Sequence, residues 1–153
     1  MRWLELRVPP VVVLAVAAVA IWGLRRLFPE MGLFIPARRI LYGAVLGAGI
    51  LVGAAGVIAF RRARTTVNPL RPDAASTLVT GGIYRFSRNP MYLGLALVLA
   101  ALVVFFSNPL GVAPVVAYIA WMNAFQIAPE ERALRARFGA DFDEYCARVR
   151  RWL

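Results

Sequence analysis

Four long apolar runs, separated by breaks rich in arginine, constrain this chain more than any other feature. They cover about residues 11–28, 40–60, 91–106 and 110–128. At about 1.5 Å of rise per residue, each run is about long enough, as a helix, to cross the hydrocarbon core of a bilayer. The composition agrees, because 61% of the residues are hydrophobic. We therefore predict an all-α, polytopic membrane protein, with about four transmembrane helices in a single domain over residues 1–153.

Two polar clusters bracket the last two apolar runs. The first cluster is RNPMY at residues 88–92, and the second is PEE at residues 129–131. The runs between them are broken only by SNP at residues 107–109, which is too short for anything but a tight reversal, so the two runs form a helical hairpin. The four polar residues that should therefore meet at one membrane surface, and form the candidate site, are Arg88, Asn89, Glu130 and Glu131.

The positive charge is distributed as in a membrane protein rather than a nucleic-acid-binding protein. The net charge is +10, and all 18 basic residues are arginines that lie near the ends of the apolar runs. With four spans, the segment before the first run, the loop between the second and third, and the C-terminal tail share one side and carry 14 arginines. The positive-inside rule predicts that both termini and the polar clusters face the cytoplasm, in a bacterial inner membrane.

Several classes of site are disfavoured by what the sequence lacks. The single cysteine, Cys146, allows no intrachain disulfide, and the absence of histidine leaves little from which to build a zinc or haem site. Because histidine is the usual general base near neutral pH, its absence also removes the most common group for that role. We expect no metal and no nucleic-acid partner, and the sequence does not indicate an oligomeric state.

Glycine spacing in the second run and apolar spacing in the tail predict two further packing features. Gly43 and Gly47, and likewise Gly49 and Gly53, are four residues apart, which favours close helix packing over a phosphate-binding loop. The loop over residues 61–88 is predicted to be mostly irregular. In the C-terminal tail, apolar residues at three- and four-residue steps predict a cytoplasmic amphipathic helix that is interrupted near Gly139. This helix is expected to lie on the membrane or to cap the bundle. These apolar residues are Leu134, Phe138, Phe142, Tyr145 and Val149.

Each residue of the polar clusters also has a purely structural interpretation. Asn89 can cap a helix whose first residue is Pro90, and Glu130 and Glu131 suit the first turn of a helix that begins at Pro129. Arginine and tyrosine at this level are typical of head-group contacts and of an aromatic belt. Their convergence across one hairpin favours a site for a polar ligand.

The C-terminal half resembles the superfamily of isoprenylcysteine carboxyl methyltransferases and phospholipid N-methyltransferases, which are integral membrane enzymes. The resemblance covers residues 78–153, in the stretches LVTGGIYRFSRNPMYLG (78–94) and PEERALRARFGADFDEYCARVRRWL (129–153). The ordered features are Thr-x-Gly-x-Tyr, Arg-x-Pro-x-Tyr-x-Gly, the hairpin, the glutamate pair, then Phe-Gly and Tyr. The resemblance implies methyl transfer from S-adenosylmethionine, held at the cytoplasmic ends of the helices and closed in by the C-terminal segment.

The resemblance also implies site residues. One wall would be formed by Tyr84, Arg88, Asn89, Pro90, Tyr92 and Gly94, and the other by Glu130 and Glu131. A glutamate can accept hydrogen bonds from the cofactor's ammonium or hydroxyls, and arginine can bind its carboxylate. Gly94 would let a ligand approach the helix closely. Because the sulfonium is already a good leaving group, the protein must mainly align donor and acceptor and exclude water. If a base is needed, either glutamate is a candidate, so the catalytic group is Glu130, Glu131 and Arg88.

Departures from the superfamily pattern bear on the acceptor. Asn89 stands where the eukaryotic branch has histidine, and Ile83 where proline is usual. The turn before the glutamates, residues 125–128, lacks the arginine of the carboxyl methyltransferase branch. The acceptor is expected to be lipophilic or amphiphilic: a phospholipid amine, a lipid-like carboxylate, or a small apolar thiol or amine. The alternative is a non-enzymatic membrane assembly subunit or transporter component, which would leave the paired polar clusters unexplained.

Overall fold

The chain folds into a bundle of helices, described here from a computed structural model. The structure describes residues 2–63 and 77–153, without the side chain of Arg2. The helices are α1 (Pro10–Leu27), α2 (Arg38–Arg62), α3 (Pro90–Phe106), α4 (Val112–Trp121), α5 (Ala128–Phe138) and α6 (Ala140–Arg148). A π-helical segment, Met122–Ile127, joins α4 to α5, and the described ranges contain no strand. The predicted all-α fold is confirmed.

Three of the helical segments are long and apolar enough to span a bilayer. They are Pro10–Leu27, Arg38–Arg62 and the continuous segment Pro109–Phe138, and α3 is a shorter apolar helix of 17 residues. Few of their residues are buried within the protein, only 11% in an 18-residue stretch of α2, so most of their apolar side chains need lipid around them. The structure therefore contains three to four spans, and α3 begins at the polar cluster itself.

Helix α3 is the centre of the bundle, with α2 on one side and α1 and α4 on the other. Its contact with α2 depends on glycines. A Cβ atom on Gly94 would lie 2.7 Å from the carbonyl oxygen of Gly49 and 2.8 Å from the nitrogen of Gly53. Apart from the adjacent residues and backbone of α2 itself, no described atom lies within 4 Å of the Cβ positions of Gly43 and Gly47. The predicted glycine packing is thus observed at one of the two pairs.

The reversal between α3 and α4 is as tight as its length requires. Ser107 has a left-handed backbone with φ of 52°, and the Oδ1 of Asn108 accepts a hydrogen bond from the N–H of Leu110 at 3.0 Å. The Nδ2 of Asn108 donates to the carbonyl of Phe28 at 3.0 Å, which ties the turn to the end of α1. The hairpin therefore returns the chain to the surface from which α3 started.

The helix carrying the glutamates does not begin at Pro129, as its residue types suggested, but continues from α4 through the π-helical segment. Proline has no N–H to donate to the carbonyl four residues earlier, that of Phe125. This carbonyl instead accepts a hydrogen bond from the N–H of Leu6 at 3.0 Å. The N-terminal segment therefore satisfies a group that the continuous helix leaves free.

The loop between α2 and α3 is described at Ala63 and from residue 77 onward. Its described part contains one short 3-10 helix, Gly82–Arg85. Residues 64–76 of the loop that was predicted to be mostly irregular lie outside the described residues. After α5, the chain turns at Gly139, whose φ is +52°, at the position where an interruption was predicted.

Candidate functional site

The structure brings the two polar clusters together at one end of the bundle. The Nη2 of Arg88 lies 2.9 Å from the Oε1 of Glu131, and both side chains are largely buried, with 14% and 15% of their surfaces exposed. The hydroxyl of Tyr92 donates a hydrogen bond to the Oε1 of Glu130. Two carboxylates consecutive in sequence are thus held by two different residues of the first cluster.

A second arginine, Arg151, completes the contacts of Glu131. Its Nη2 lies 2.5 Å from the Oε2 of Glu131, and its Nε donates to the Oε1 at 3.1 Å. Both carboxylate oxygens are therefore bound by arginine, in a geometry that gives strong and directional hydrogen bonds. We call Arg88, Glu131 and Arg151 the arginine clamp.

The clamp fixes the end of the chain, residues 149–152, which we call the C-terminal strap. The N–H of Arg88 donates to the carbonyl of Arg150 at 3.1 Å, and the Nδ2 of Asn89 donates to the carbonyl of Arg151 at 2.9 Å. The Nε1 of Trp152 donates to the Oδ1 of Asn123 at 3.1 Å, in the π-helical segment. The strap therefore lies across the start of α3 and the π-helical segment.

Asn89 and Pro90 occupy the positions that the capping interpretation predicted, but the asparagine side chain does not cap the helix. Asn89 is the residue before α3 and Pro90 is the first residue in it. The amide of Asn89 is instead used on the strap, and its own N–H donates to the Oγ of Ser87 at 3.1 Å. Pro90 is buried, close to Gly56 of α2.

Tyr84 and Tyr145 join α6 to the site. The Tyr145 hydroxyl donates to the carbonyl of Tyr84 at 2.7 Å, and both residues lie in an apolar cluster with Phe142 and Val149. Burial raises the pKa of each phenol well above its ordinary value, and for Tyr84 the nearby Tyr145 and Glu130 raise it further. Both side chains therefore stay neutral and serve as packing and hydrogen-bonding groups.

Glu130 differs from Glu131 in what surrounds it. Within residues 2–63 and 77–153, Glu131 has two arginine partners whereas Glu130 has no ion pair. Its hydrogen-bond partner, Tyr92, is a neutral side chain in the core that also holds Tyr118, whose hydroxyl donates to the carbonyl of Tyr92 at 3.4 Å. Glu130 is thus the carboxylate that faces the inside of the bundle.

One buried donor at the site has nothing to bind. In the described part of the chain, the Nε of Arg88 is buried without a hydrogen-bond partner. Its other two nitrogens bind Glu131 and, at 3.3 Å, the carbonyl of Cys146. An unsatisfied buried N–H is costly, so this free donor suits an incoming group that can accept a hydrogen bond.

Comparison with known proteins shows the family to which the chain belongs. Residues 38–141, more than half of the chain, match the phospholipid methyltransferase family model. The chain belongs to this phospholipid methyltransferase family. The family is part of the larger superfamily of membrane methyltransferases that includes the isoprenylcysteine carboxyl methyltransferases, so the resemblance seen in the sequence is confirmed. Membership implies methyltransferase activity for an integral membrane protein.

Two further comparisons complete the findings on this phospholipid methyltransferase family member. The chain is 43% identical over 63 residues to an uncharacterized protein of Haemophilus influenzae, in a match that covers 41% of this chain and all of that protein. No solved structure matches the chain. Among the described residues, no cluster of three or more acidic, cysteine or histidine side chains is placed to hold a metal ion.

The sequence did not identify Arg151 as a site residue. It predicted that a ligand approaches Gly94, and in the structure Gly94 packs against α2. Arg151 is one of six arginines in the tail, and nothing in the residue pattern separates it from Arg148 or Arg150. The apolar neighbours Val149 and Trp152 could have indicated that this part of the tail packs. Gly94 faces α2 at distances that leave no room for a side chain, so its contact with a ligand stays a prediction.

Proposed function

We propose that the protein transfers a methyl group from S-adenosylmethionine to a lipophilic or amphiphilic acceptor, at the cytoplasmic surface of the membrane. The observation that carries the proposal is Glu130, a carboxylate without an ion pair in the described residues, hydrogen-bonded to Tyr92 beside the arginine clamp. A carboxylate kept in such a place costs desolvation, which a cationic ligand would offset. Membership of a methyltransferase family supports the same reading.

The residues present suit the chemistry of this cofactor. The unpartnered Nε of Arg88 is a donor for its carboxylate, and Glu130 is an acceptor for its ammonium or its ribose hydroxyls. When bound, the cofactor supplies an electrophilic methyl group on a sulfonium. Tyr84, Asn89, Pro90 and Tyr92 are proposed to shape the wall on the α3 side.

The two glutamates are proposed to have different roles. Glu131 holds the C-terminal strap through Arg151 and positions Arg88, so it acts on the ligand through other residues. Glu130 contacts the ligand and is the better candidate for a general base where the acceptor carries a proton. The strap would keep water out of the site. Methyl transfer from a sulfonium depends more on the exclusion of water than on a dedicated proton relay.

The test is direct binding of S-adenosylhomocysteine to the protein purified in detergent. Saturable binding in the micromolar range is expected, and Glu130→Gln should weaken it at least tenfold, which is about 1.4 kcal/mol. The variant keeps an oxygen that can accept the hydrogen bond of Tyr92, so the unfolding temperature should stay near that of the unaltered protein.

The matched control is Asp141→Asn, which removes one exposed carboxylate outside the site. Its affinity for S-adenosylhomocysteine should not change by more than twofold. If the folded, unaltered protein shows no binding at millimolar ligand in two detergents and in lipid, the methyltransferase proposal fails. A non-enzymatic subunit would then be the better explanation.

A further inference from the structure

The segment that precedes α1 is bound to the helix that carries the two glutamates. We call residues 5–8 the N-terminal latch. The N–H of Leu6 donates to the carbonyl of Phe125 at 3.0 Å. The carbonyl of Val8 accepts a hydrogen bond from the Nε2 of Gln126 at 3.3 Å. The latch is therefore attached at two points to the π-helical segment that leads into α5.

A third contact of the latch lies beyond the π-helical segment, in α5 itself. The guanidinium of Arg132 forms an ion pair with Glu5. At about 100° of rotation per helical residue, Arg132 points away from the side of α5 that carries Glu130, which is bound by Tyr92 of α3. The start of α5 is thus held between α3 on one side and the latch on the other.

The direction of the glutamates depends on the π-helical segment. The N–H of Ala128 donates to the carbonyl of Asn123, five residues earlier, whereas an α-helix uses the carbonyl four residues earlier. A change from π-helical to α-helical bonding would turn α5 by one residue, about 100°, relative to α4. Glu130 and Arg132 would then both leave their partners. One register of the helix therefore serves both sides of α5.

The latch holds one residue in a backbone conformation that needs compensation. Leu6 has a φ of +56°, in the left-handed region that residues other than glycine seldom adopt. Such a conformation persists only where the surrounding contacts outweigh its cost. The compensating contact here is the hydrogen bond to Phe125, whose carbonyl Pro129 cannot reach with an N–H of its own.

We infer that the N-terminal latch is a positioning element for the glutamate pair, because it fixes the π-helical segment and the opposite side of α5. Glu5, Leu6 and Val8 then act on a ligand only through the glutamates, as positioning residues. For ligand binding, the inference rests on the proposed function. For the conformation of α5, it depends only on the contacts of the latch.

The test compares two substitutions of Leu6 in the protein purified in detergent. Leu6→Pro removes the N–H and excludes the left-handed φ, whereas Leu6→Asn keeps the N–H and tolerates that φ. In Leu6→Pro, the amides of residues 126–132 should exchange with deuterium about tenfold faster, while those of α3 stay unchanged. The affinity for S-adenosylhomocysteine should also fall about tenfold, and Leu6→Asn should change neither quantity by more than about twofold.

A double substitution shows whether the latch acts through the glutamates. If Leu6→Pro displaces Glu130, then Glu130→Gln has less affinity left to lose. The combined loss of S-adenosylhomocysteine affinity in Leu6→Pro with Glu130→Gln should therefore be smaller than the product of the two separate losses. Losses that multiply would mean that the latch acts independently of Glu130, which contradicts the inference.

A second variant tests the latch without a proline. Glu5→Lys places a cation against Arg132 and should weaken S-adenosylhomocysteine binding about threefold, with faster exchange in residues 126–132. The matched control is Glu30→Lys, at an exposed carboxylate that has no ion pair in the described part of the chain. It should leave both measurements unchanged.

Two further outcomes would overturn the inference. Unchanged exchange and affinity in folded Leu6→Pro or Glu5→Lys would mean that the latch holds nothing in place. Equally faster exchange in α3 and α5 would mean that the latch only stabilises the bundle as a whole. If the unaltered protein does not bind S-adenosylhomocysteine but exchange in residues 126–132 responds as expected, the latch is supported and only the proposed function is contradicted.

Discussion

The two ends of the bundle use polar side chains in different ways. At the end away from the site, Arg25 donates to the carbonyl of Pro29 at 2.7 Å, and Arg38 donates to the hydroxyl of Ser107 at 3.3 Å. At the site end, Arg88 and Arg151 converge on the carboxylate of Glu131. Neutral oxygens are enough to close the turns of a membrane bundle, so stability alone does not require the charges kept at the site end.

The arginine clamp and the turn at Asn108 provide the sharpest test of this difference. Glu131→Ala leaves Arg88 and Arg151 without their shared anion, which should destabilise the protein by about 3 kcal/mol because Arg88 is largely buried. Affinity for S-adenosylhomocysteine should fall at least tenfold, since Arg88 and the C-terminal strap lose their positions. Thermal unfolding and ligand titration in detergent measure the two effects.

The control at the opposite end is Asn108→Ala, which removes two hydrogen bonds. It should destabilise the protein by about 1–2 kcal/mol and leave the affinity of the folded protein unchanged. If Glu131→Ala loses stability but binds S-adenosylhomocysteine as tightly as Asn108→Ala does, the clamp is a structural feature like the turn, and the comparison between the two ends is wrong.

Substitutions in the packing between α2 and α3 should change the stability of the protein and leave its affinity for S-adenosylhomocysteine unchanged. An alanine at Gly94 would place its Cβ against the backbone of α2, so we expect Gly94→Ala to destabilise the protein by about 2 kcal/mol. Gly47→Ala, with open space around it, should be neutral or stabilising. A tenfold loss of S-adenosylhomocysteine affinity in folded Gly94→Ala, without loss of stability, would support the ligand contact that the sequence suggested.

The sequence was sufficient for features that depend on length and residue type along the chain. Apolar run lengths predicted α1, α2 and α3 to within two residues at each end, and the three residues at 107–109 predicted a reversal that places Arg88 beside Glu131. The sequence did not show that α4 continues through a π-helical segment. The carbonyl of Phe125, which Pro129 cannot bond, accepts its hydrogen bond from Leu6, more than a hundred residues away, and no local pattern reveals that contact. The sequence did not single out Arg151 for a similar reason, since its role depends on where the strap lies.

The reactivity of the Cys146 thiol reports whether the C-terminal strap is in place, and no cysteine has to be introduced to measure it. The thiol is half-buried in α6, and its own carbonyl accepts a hydrogen bond from Arg88. Burial is the main cause that raises the pKa of the thiol, which reduces the fraction of reactive thiolate at pH 7–8. Reaction with N-ethylmaleimide should therefore be slower than for an exposed cysteine.

Release of the strap should reverse this protection. In Glu131→Ala, the freer tail exposes the thiol and lowers its pKa toward the ordinary value, so the rate at pH 7.5 should rise several-fold, while Asn108→Ala should react like the unaltered protein. The difference should shrink above the raised pKa, where both thiols are ionised and only access distinguishes them. Equal rates in all three proteins at pH 7.5 would mean that Glu131 does not hold the tail, and the strap would then depend on Asn89 and Trp152 alone.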